Sequence, residues 1–168
     1  LLATAREYLS CSVAADMMDL SVDEVEHGLV RTCMEALFEN PLTEEVEDYQ
    51  LFHESLREYV LSKYSGECRE WDLQLADWSR KWKARSGESK TYALRWLIPH
   101  NLRKREILIE EGKKEEAAML AGFMADTLDD HEFRQAVFQA CGNASTLRRD
   151  ILEVQRLLAA MDEGGSNM

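Results

Sequence analysis

Helix-breaking residues are scarce along this chain. Its 168 residues include only eight glycines and two prolines, the residue types that interrupt helices most strongly. Hydrophobic residues make up 45% of the chain and charged residues 31%, which provides a core and a solvated surface and argues against a disordered chain. The sequence therefore predicts a mainly α-helical fold, with one good-sized domain or two small ones.

The charge of the chain is negative and unevenly distributed. The formal net charge is −12. Residues 1–65 contain 14 acidic and 4 basic side chains, whereas residues 66–168 contain 18 and 16. An acidic surface repels phosphate groups, so we expect neither nucleic acid nor an anionic membrane as a partner.

The cysteines and the apolar runs indicate the compartment. Cys11, Cys33, Cys68 and Cys141 are far apart and form no CxxC pair, which is typical of small hydrophobic residues in a reducing compartment. No apolar run approaches the roughly 20 residues that a membrane span needs. We therefore expect a cytoplasmic protein. Because the chain begins within a helix-like pattern and has no initiator Met, we also expect it to be a segment of a longer protein.

The first third of the chain predicts three helices. Apolar residues at helical spacing predict the first helix over Leu2–Leu9 and the second over Val13–Met18. Ser21 and Glu24 have the spacing of a capping box, in which each side chain accepts from the other residue's backbone amide. A third, longer helix is expected to follow this box and to run to Leu37.

A β-hairpin is expected after these helices. The short apolar runs Ala36–Phe38 and Tyr49–Phe52 predict two strands around the polar loop Asn40–Asp48. Three helices followed by such a hairpin are typical of a winged helix. The predicted fold class is therefore mainly α, with a winged-helix domain over residues 1–65 and an α-helical bundle or superhelical domain over residues 66–168.

The domain boundary is placed at a helix end. Apolar spacing predicts a helix from His53 onward, and Ser65-Gly66 is a natural stop because glycine adopts the left-handed conformation that ends helices. Beyond it, an apolar face runs along one helix at positions i, i+4, i+7 and i+11: Trp71, Leu75, Trp78 and Trp82. We interpret this aromatic face as part of a core rather than as a ligand cage.

The remaining sequence predicts further helices. Ser86–Ser89 is expected to form a turn, and Pro99 is expected to end a helix over Tyr92–Ile98. Other helices are predicted near Asn101–Glu111, with a break at Gly112, and over Lys113–Ala125 and Leu147–Met161. The last of these has a heptad-like apolar seam: Leu147, Ile151, Val154, Leu158 and Met161. Such a seam packs within the domain or binds a partner helix.

No group of residues predicts catalysis or metal binding. Neither of the phosphate-binding patterns GxxxxGKS/T and GxGxxG occurs. His53-Glu54 begins like a zinc-protease helix, but Arg57 stands where HExxH needs its second histidine. The four histidines are far apart and have no cysteine at ligand spacing: His27, His53, His100 and His131. We therefore expect no catalytic residue, no metal and no enzymatic activity in this chain itself.

Two alternative functions remain open. A winged helix can bind DNA by placing one helix in the major groove. The segment Asp23–Phe38 would have this role, but it carries four acidic residues and one arginine, which is the wrong sign for a surface that approaches phosphates. DNA binding is therefore the less favoured alternative. The other is a helical scaffold or adaptor, in which the seam over Leu147–Met161 binds a partner helix.

Several segments, in order, resemble STAND-type NTPases (NACHT and NB-ARC proteins). Leu51–Val60 reads LFHESLREYV and resembles the motif that closes their winged-helix domain, hydrophobic-Phe-His-x-Ser-hydrophobic-Arg-Glu-Tyr-hydrophobic. Ala14–Leu37 resembles the preceding helix pair of that domain. Tyr92–Leu102, which reads YALRWLIPHNL, resembles the segment that opens the following helical domain, and Lys113–Asp126 resembles the next helix. The resemblance extends over nearly the whole chain.

The resemblance implies a regulatory segment and gives one residue a role. In such proteins the histidine at the position of His53 contacts the β-phosphate of bound ADP and holds the closed, inactive arrangement. An imidazole can donate a charge-assisted hydrogen bond to phosphate, and a nearby helix N-terminus adds a favourable field. Members with the MHD form of the motif have Asp where this chain has Glu54, so a capping role for that carboxylate is not implied.

The resemblance also implies the cofactors and partners. ADP or ATP would be bound by the parent protein rather than by this chain alone. The partners would be the parent's own NTPase domain, located before Leu1, and repeats located after Met168, with assembly into a homo-oligomer on activation.

Overall fold

The computed structural model describes residues 1–7, 9–30, 37–39, 48–51 and 54–165. Over this part of the chain the fold is mainly helical, as the sequence predicts. The chain forms two compact units, residues 1–78 and residues 79–168. The predicted domain limits, 1–65 and 66–168, stay a prediction. Within the described ranges, no helix has both the length and the apolar character that crossing a membrane requires.

The N-terminal unit begins with a turn and a strand. The Thr4 and Ala5 amides both donate to the Leu1 carbonyl, at 2.9 and 3.0 Å, and Thr4 Oγ1 donates to it at 2.8 Å. Strand β1 follows at Leu9–Ser10. The predicted helix over Leu2–Leu9 is therefore wrong. A helix of eight residues gains little stability by itself, and residues 9 and 10 instead hydrogen-bond to another strand.

Helix α1 spans Cys11–Met18 and begins two residues earlier than predicted. Ser10 is its N-cap, and its Oγ accepts from the Val13 amide at 3.3 Å. Asp19 ends the helix in the left-handed conformation, with φ 56°. Short polar side chains such as Asp tolerate that conformation because they hydrogen-bond locally.

Helix α2 spans Val22–Val25 and continues as a π-helix over Glu26–Val30. The predicted capping box is confirmed. The Glu24 amide donates to Ser21 Oγ at 3.2 Å, and the Ser21 amide donates to Glu24 Oε2 at 2.8 Å. The predicted extension of this helix to Leu37 is wrong, because Leu37 lies in a strand.

Three short strands form an antiparallel sheet. Strand β2 is Leu37–Glu39 and strand β3 is Asp48–Leu51, each displaced by one residue at its start from the predicted strand. The order across the sheet is β1-β3-β2. Leu9 lies opposite Tyr49, and Leu37 lies opposite Leu51. The central strand β3 therefore joins the first strand of the unit to the second.

Two helices follow the sheet. Helix α3 spans Glu54–Lys63 and helix α4 spans Ser65–Arg80, with the break at Tyr64. The predicted stop at Ser65-Gly66 is wrong, because both residues lie in the first turn of α4 and Gly66 does not adopt the left-handed conformation. The predicted core face is confirmed at Leu75 and Trp78, which are buried. Trp82, in a short 3-10 helix over Trp82–Ala84, is buried as well.

The second unit, called the helical unit below, contains four long helices: α5 (Gly87–Glu110), α6 (Lys114–Asp129), α7 (His131–Cys141) and α8 (Ser145–Gly165). Helix α5 packs on α6 and α7, and α6 packs on α8. The core of the helical unit contains large, fully buried side chains: Leu94, Leu97, Ile98, Ile107, Met124, Phe133 and Val137.

Glycines end two of these helices in the left-handed conformation. Gly112 has φ 76° and Gly142 has φ 68°. After α5, the Lys113 amide donates to the Leu108 carbonyl at 2.8 Å, as in a Schellman motif. The predicted break at Gly112 is confirmed.

Pro99 lies inside α5 rather than at a helix end. The predicted helix end at Pro99 and the predicted turn over Ser86–Ser89 are therefore wrong, since α5 runs from Gly87 to Glu110 without interruption. Proline removes the amide that would donate to the carbonyl four residues earlier, here that of Arg95. A side chain from α8 supplies a replacement donor to this carbonyl, as described below.

Candidate functional site

His53, which the resemblance assigns to the β-phosphate of ADP, lies outside the described residues. In the sequence it stands between β3, which ends at Leu51, and α3, which begins at Glu54. Its assigned role stays a prediction.

The N-terminal unit presents exposed acidic groups at α2. Asp23 and Glu24 are exposed, as is His27. The Ser21 backbone amide and then its hydroxyl donate to the Glu24 carboxylate, and these hydrogen bonds lower the pKa of Glu24. His27 Nδ1 lies 3.0 Å from the Asp23 carbonyl. Because these hydrogen bonds favour the charged form of the exposed Glu24 carboxylate, this helix start repels phosphate rather than attracting it.

A lysine and two tyrosines lie together where α3 meets α4. Lys63 Nζ is 5.1 Å from the centroid of the Tyr59 ring and 5.3 Å from that of Tyr64, within the range of a cation–π contact. Hydrogen bonding to Tyr59 is the main cause that raises the pKa of Lys63. All three groups are exposed, so this contact belongs to the surface of the unit.

Aromatic and cationic side chains meet around Trp82 in the helical unit. The rings of Trp82 and Phe133 meet edge to face, with centroids 5.8 Å apart. Lys83 and Lys90 place their Nζ atoms 5.2 and 5.6 Å from the Trp82 ring centroid, and Lys83 pairs with Glu132. Because Trp82 and Phe133 are both buried, their ring contact belongs to the core of the unit, whereas the Lys83–Glu132 pair is exposed at its surface.

Buried polar side chains follow one another along α5. His100 and Asn101 are fully buried. Tyr92 Oη lies 3.2 Å from His100 Nε2, and the two rings stack with centroids 5.9 Å apart. Asn101 Nδ2 donates to the Leu97 carbonyl at 2.8 Å, while its Oδ1 is buried without a hydrogen-bond partner. An unpaired buried oxygen is unfavourable, so this part of the core is not optimised for stability alone.

An ion pair from α8 meets α5 one turn before His100. Arg149 Nη2 donates to the Arg95 carbonyl at 2.8 Å, and the guanidinium lies 4.8 Å from the Trp96 ring centroid. Arg149 Nε and Nη2 contact Asp150 Oδ1 at 2.9 and 2.8 Å. The Asp150 carboxyl is buried, and desolvation raises its pKa to about 6 although Arg149 opposes the shift.

Sequence reasoning missed this ion pair, although the pattern contains a signal for it. Asp150 lies three residues after Leu147 and four before Val154, so it falls on the apolar seam itself. A carboxylate at such a position needs a partner or a shifted pKa when it is buried. Because Pro99 is predicted to end a helix, the sequence gives no reason to expect that the Arg95 carbonyl needs a donor from another helix.

The described residues contain no group of three or more His, Cys, Asp or Glu side chains arranged to hold a metal ion. No protein-family model matches the chain. Comparisons with curated proteins and with solved structures give no match either. The function proposed below therefore rests on the sequence motifs, their order and the local folds in which they lie.

Proposed function

We propose that this chain is the winged-helix and helical segment of a STAND-type signalling ATPase of the NACHT kind. Its role is regulatory. It senses bound ADP through His53 and packs against the NTPase domain of the same polypeptide to hold the inactive state. The chain itself has no catalytic role in this proposal, because the phosphate-binding loop lies elsewhere in the parent protein.

The observation that carries the proposal is the ordered series of motifs along the chain, of which LFHESLREYV at residues 51–60 is the most specific. The local folds agree with it. The order β1-α1-α2-β2-β3-α3, with β3 between β1 and β2, is the order that a winged helix has after its first helix. A second motif, YALRWLIPHNL at residues 92–102, lies within α5 of the helical unit. These folds support the proposed division of roles between the two units.

The proposed sensor acts through one hydrogen bond. His53 immediately precedes α3 in the sequence, so a phosphate that contacts its imidazole also lies near the positive end of a helix. A hydrogen bond to a charged phosphate contributes about 1–3 kcal/mol. If the contact exists only in the closed state, its loss shifts the closed–open equilibrium by the same amount.

The test is the rate of ADP release from the polypeptide that contains both the NTPase domain and this chain. We expect His53→Ala to release ADP roughly 5- to 150-fold faster than the unaltered protein, which corresponds to about 1–3 kcal/mol. Release is followed by displacement of a fluorescent ADP analogue. Autoactivation of the protein without its stimulus is the expected consequence in cells.

His27→Ala is the matched control, since His27 is an exposed histidine of the same unit whose ring contacts only its own helix backbone in the hydrogen bonds described above. It should leave ADP release unchanged. Equal ADP release from His53→Ala and the unaltered protein would exclude the sensor role.

A scaffold function is the second candidate, because the helical unit exposes large apolar side chains. Met119 is 69% exposed, Phe138 54% and Leu152 43%. Leu152 lies on α8 outside the apolar seam that the sequence predicts there, and Val154, a member of that seam, is buried. Sedimentation equilibrium tests this candidate. Self-association that rises with concentration and disappears in Leu152→Glu would favour a scaffold, and a monomer at all concentrations would count against self-association through Leu152.

The DNA-binding alternative predicts a mobility shift with duplex DNA at low salt. The exposed carboxylates of α2 lead us to expect no shift. A specific complex under these conditions would replace the proposed function.

A further inference from the structure

The contact between α8 and α5 is built around the carbonyl that Pro99 leaves without its helical donor. In an uninterrupted helix the amide at position 99 would donate to the Arg95 carbonyl. Proline has no such amide, and Arg149 of α8 donates to that carbonyl instead, at 2.8 Å. The two helices are thus joined by a hydrogen bond at the carbonyl where the proline removes the helical donor.

Arg149 is held in place on three sides. Its guanidinium donates to the Arg95 carbonyl, lies over the Trp96 ring at 4.8 Å, and pairs with Asp150 Oδ1 at 2.8 Å. The charged donor makes each of these hydrogen bonds stronger than one between neutral groups. The guanidinium itself is partly exposed, whereas the Asp150 side chain is 1% exposed.

The Asp150 carboxylate is the least favourably placed group in this contact. Oδ1 accepts from Arg149, but Oδ2 is buried without a hydrogen-bond partner. A carboxylate with one unsatisfied buried oxygen is costly, whereas a protonated carboxyl is much less so. The pKa of Asp150, about 6, expresses this preference, since desolvation outweighs the attraction of Arg149.

We propose that α8 is a pH-sensitive strap, fastened to α5 at the Arg95 carbonyl and held more tightly when the Asp150 carboxyl is protonated than when it is charged. Opening of the strap brings Asp150 into water, where the charged form is favourable. Ionisation therefore favours the open strap, and acidification closes it. This inference is independent of the ADP-sensing role of His53.

The direction follows from the pKa values of the two states. The closed carboxyl titrates near 6 and the solvated one near its ordinary value of 3.8. Raising the pH from about 5 to about 7.5 should then increase the opening equilibrium constant roughly tenfold. Even with Asp150 protonated, Arg149 keeps its contacts with the Arg95 carbonyl and with Trp96.

Other titratable groups surround the contact. On α8 itself, Glu153 raises the pKa of Asp150 and Arg149 lowers it. On α5, Arg95 contributes the bonded carbonyl, and the buried His100 follows it five residues later in the sequence. The charged or titratable side chains within helices α6 and α7 are exposed, apart from Cys141: Lys114, Glu115, Glu116, Asp126, Asp129, His131, Glu132 and Arg134. The Asp150→Asn variant described next separates a pH response of Asp150 from one of His100, the buried histidine of α5.

Amide hydrogen exchange, corrected for the pH dependence of the intrinsic rate, tests the strap. In the unaltered chain we expect protection of the α8 amides to fall roughly tenfold between pH 5 and 7.5, while amides of α6 keep their protection. Asp150→Asn should abolish the pH response of α8. Glu153→Gln, which alters an exposed carboxylate of the same helix, should retain it.

Three results would overturn the proposal. Protection of α8 that does not change with pH would do so, as would an unchanged pH response in Asp150→Asn. Equal responses in α6 and α8 would show that the whole unit titrates rather than the strap. If Asp150→Asn fails to fold, the carbon-13 titration of the Asp150 carboxyl in the unaltered chain decides: a midpoint near 6 supports the strap, and one near 4 excludes it.

Discussion

The two compact units of this chain carry very different charge. Residues 1–78 contain 18 acidic and 5 basic side chains, whereas residues 79–168 contain 14 and 15. At α2 the described acidic side chains lie in solvent, while in the helical unit a carboxylate and part of its arginine partner are buried. Acidic side chains therefore repel phosphate at the surface of one unit, whereas in the other unit an acidic side chain and its arginine partner join two helices.

The cores of both units contain buried side chains of different sizes. In the described part of the N-terminal unit, one core cluster is made of small side chains: Ala14, Ala15 and Val25. Large side chains are buried in both units, Leu75 and Trp78 in the first and Phe133 and Met124 in the second. The cost of truncating a core residue should therefore depend on the volume removed at its position.

The largest expected effect compares the truncation of a large core residue with that of a small one. Phe133→Ala should lower the free energy of unfolding of the helical unit by about 3–5 kcal/mol, because Phe133 is fully buried and its ring meets Trp82. Val25→Ala should cost the N-terminal unit only about 2 kcal/mol. The slowest-exchanging amides of each unit report the two values. Met119→Ala, at an exposed position, should stay within about 0.5 kcal/mol. Equal losses for Phe133→Ala and Val25→Ala would show that the volume removed does not set the cost of truncation.

A smaller effect tests whether Arg149 replaces the hydrogen-bond donor that Pro99 removes. Arg149→Ala should destabilise the helical unit less when Pro99→Ala is already present, because an alanine at position 99 restores the amide that donates to the Arg95 carbonyl. We expect a coupling of about 1 kcal/mol in this double-mutant cycle. Arg149→Ala leaves Asp150 without its cation in both backgrounds, so that cost cancels. Additive effects, measured by urea unfolding, would mean that Arg149 does not replace the missing donor.

The smallest effect concerns the surface of the N-terminal unit. Ser21→Ala should cost about 1 kcal/mol by removing the hydroxyl of the capping box, and Ser21→Thr should restore most of it. Because the box lowers the pKa of Glu24, its contribution is present at neutral pH and is lost as the pH falls through the titration of that carboxyl. Thermal unfolding at pH 7 and at pH 3 measures the contribution of the Ser21 hydroxyl and that of the charged Glu24 carboxylate. If Ser21→Thr is as destabilised at pH 7 as Ser21→Ala, the hydroxyl does not stabilise the start of the helix.

Local patterns predicted much of this fold. The Ser21–Glu24 capping box, the break at Gly112 and the buried face of Leu75 and Trp78 are confirmed, because each depends on residues close together in the sequence. The strand at Leu9–Ser10 was not predictable in this way. Its pairing with Asp48–Leu51 joins residues about forty positions apart, and this long-range pairing overrides the helical spacing of the first nine residues.

The polar contact in the helical unit was unpredictable for a related reason. Pro99 breaks a helix unless something replaces its amide, and the replacement, Arg149, lies 50 residues later in the sequence. The spacing of apolar residues along a sequence does not indicate which distant side chain donates to a given carbonyl. His53 is the opposite case, since its assignment came from a motif and no described contact bears on it.

The role proposed for His53 is a contact with the β-phosphate of ADP, and a comparison of ADP with AMP isolates that contact. AMP lacks that phosphate, so such a contact would contribute to the affinity for ADP alone. In the polypeptide that contains the NTPase domain, calorimetric titration should show that His53→Ala weakens ADP binding roughly 5- to 150-fold and leaves AMP binding unchanged. Equal weakening of both nucleotides, or of neither, would contradict the account.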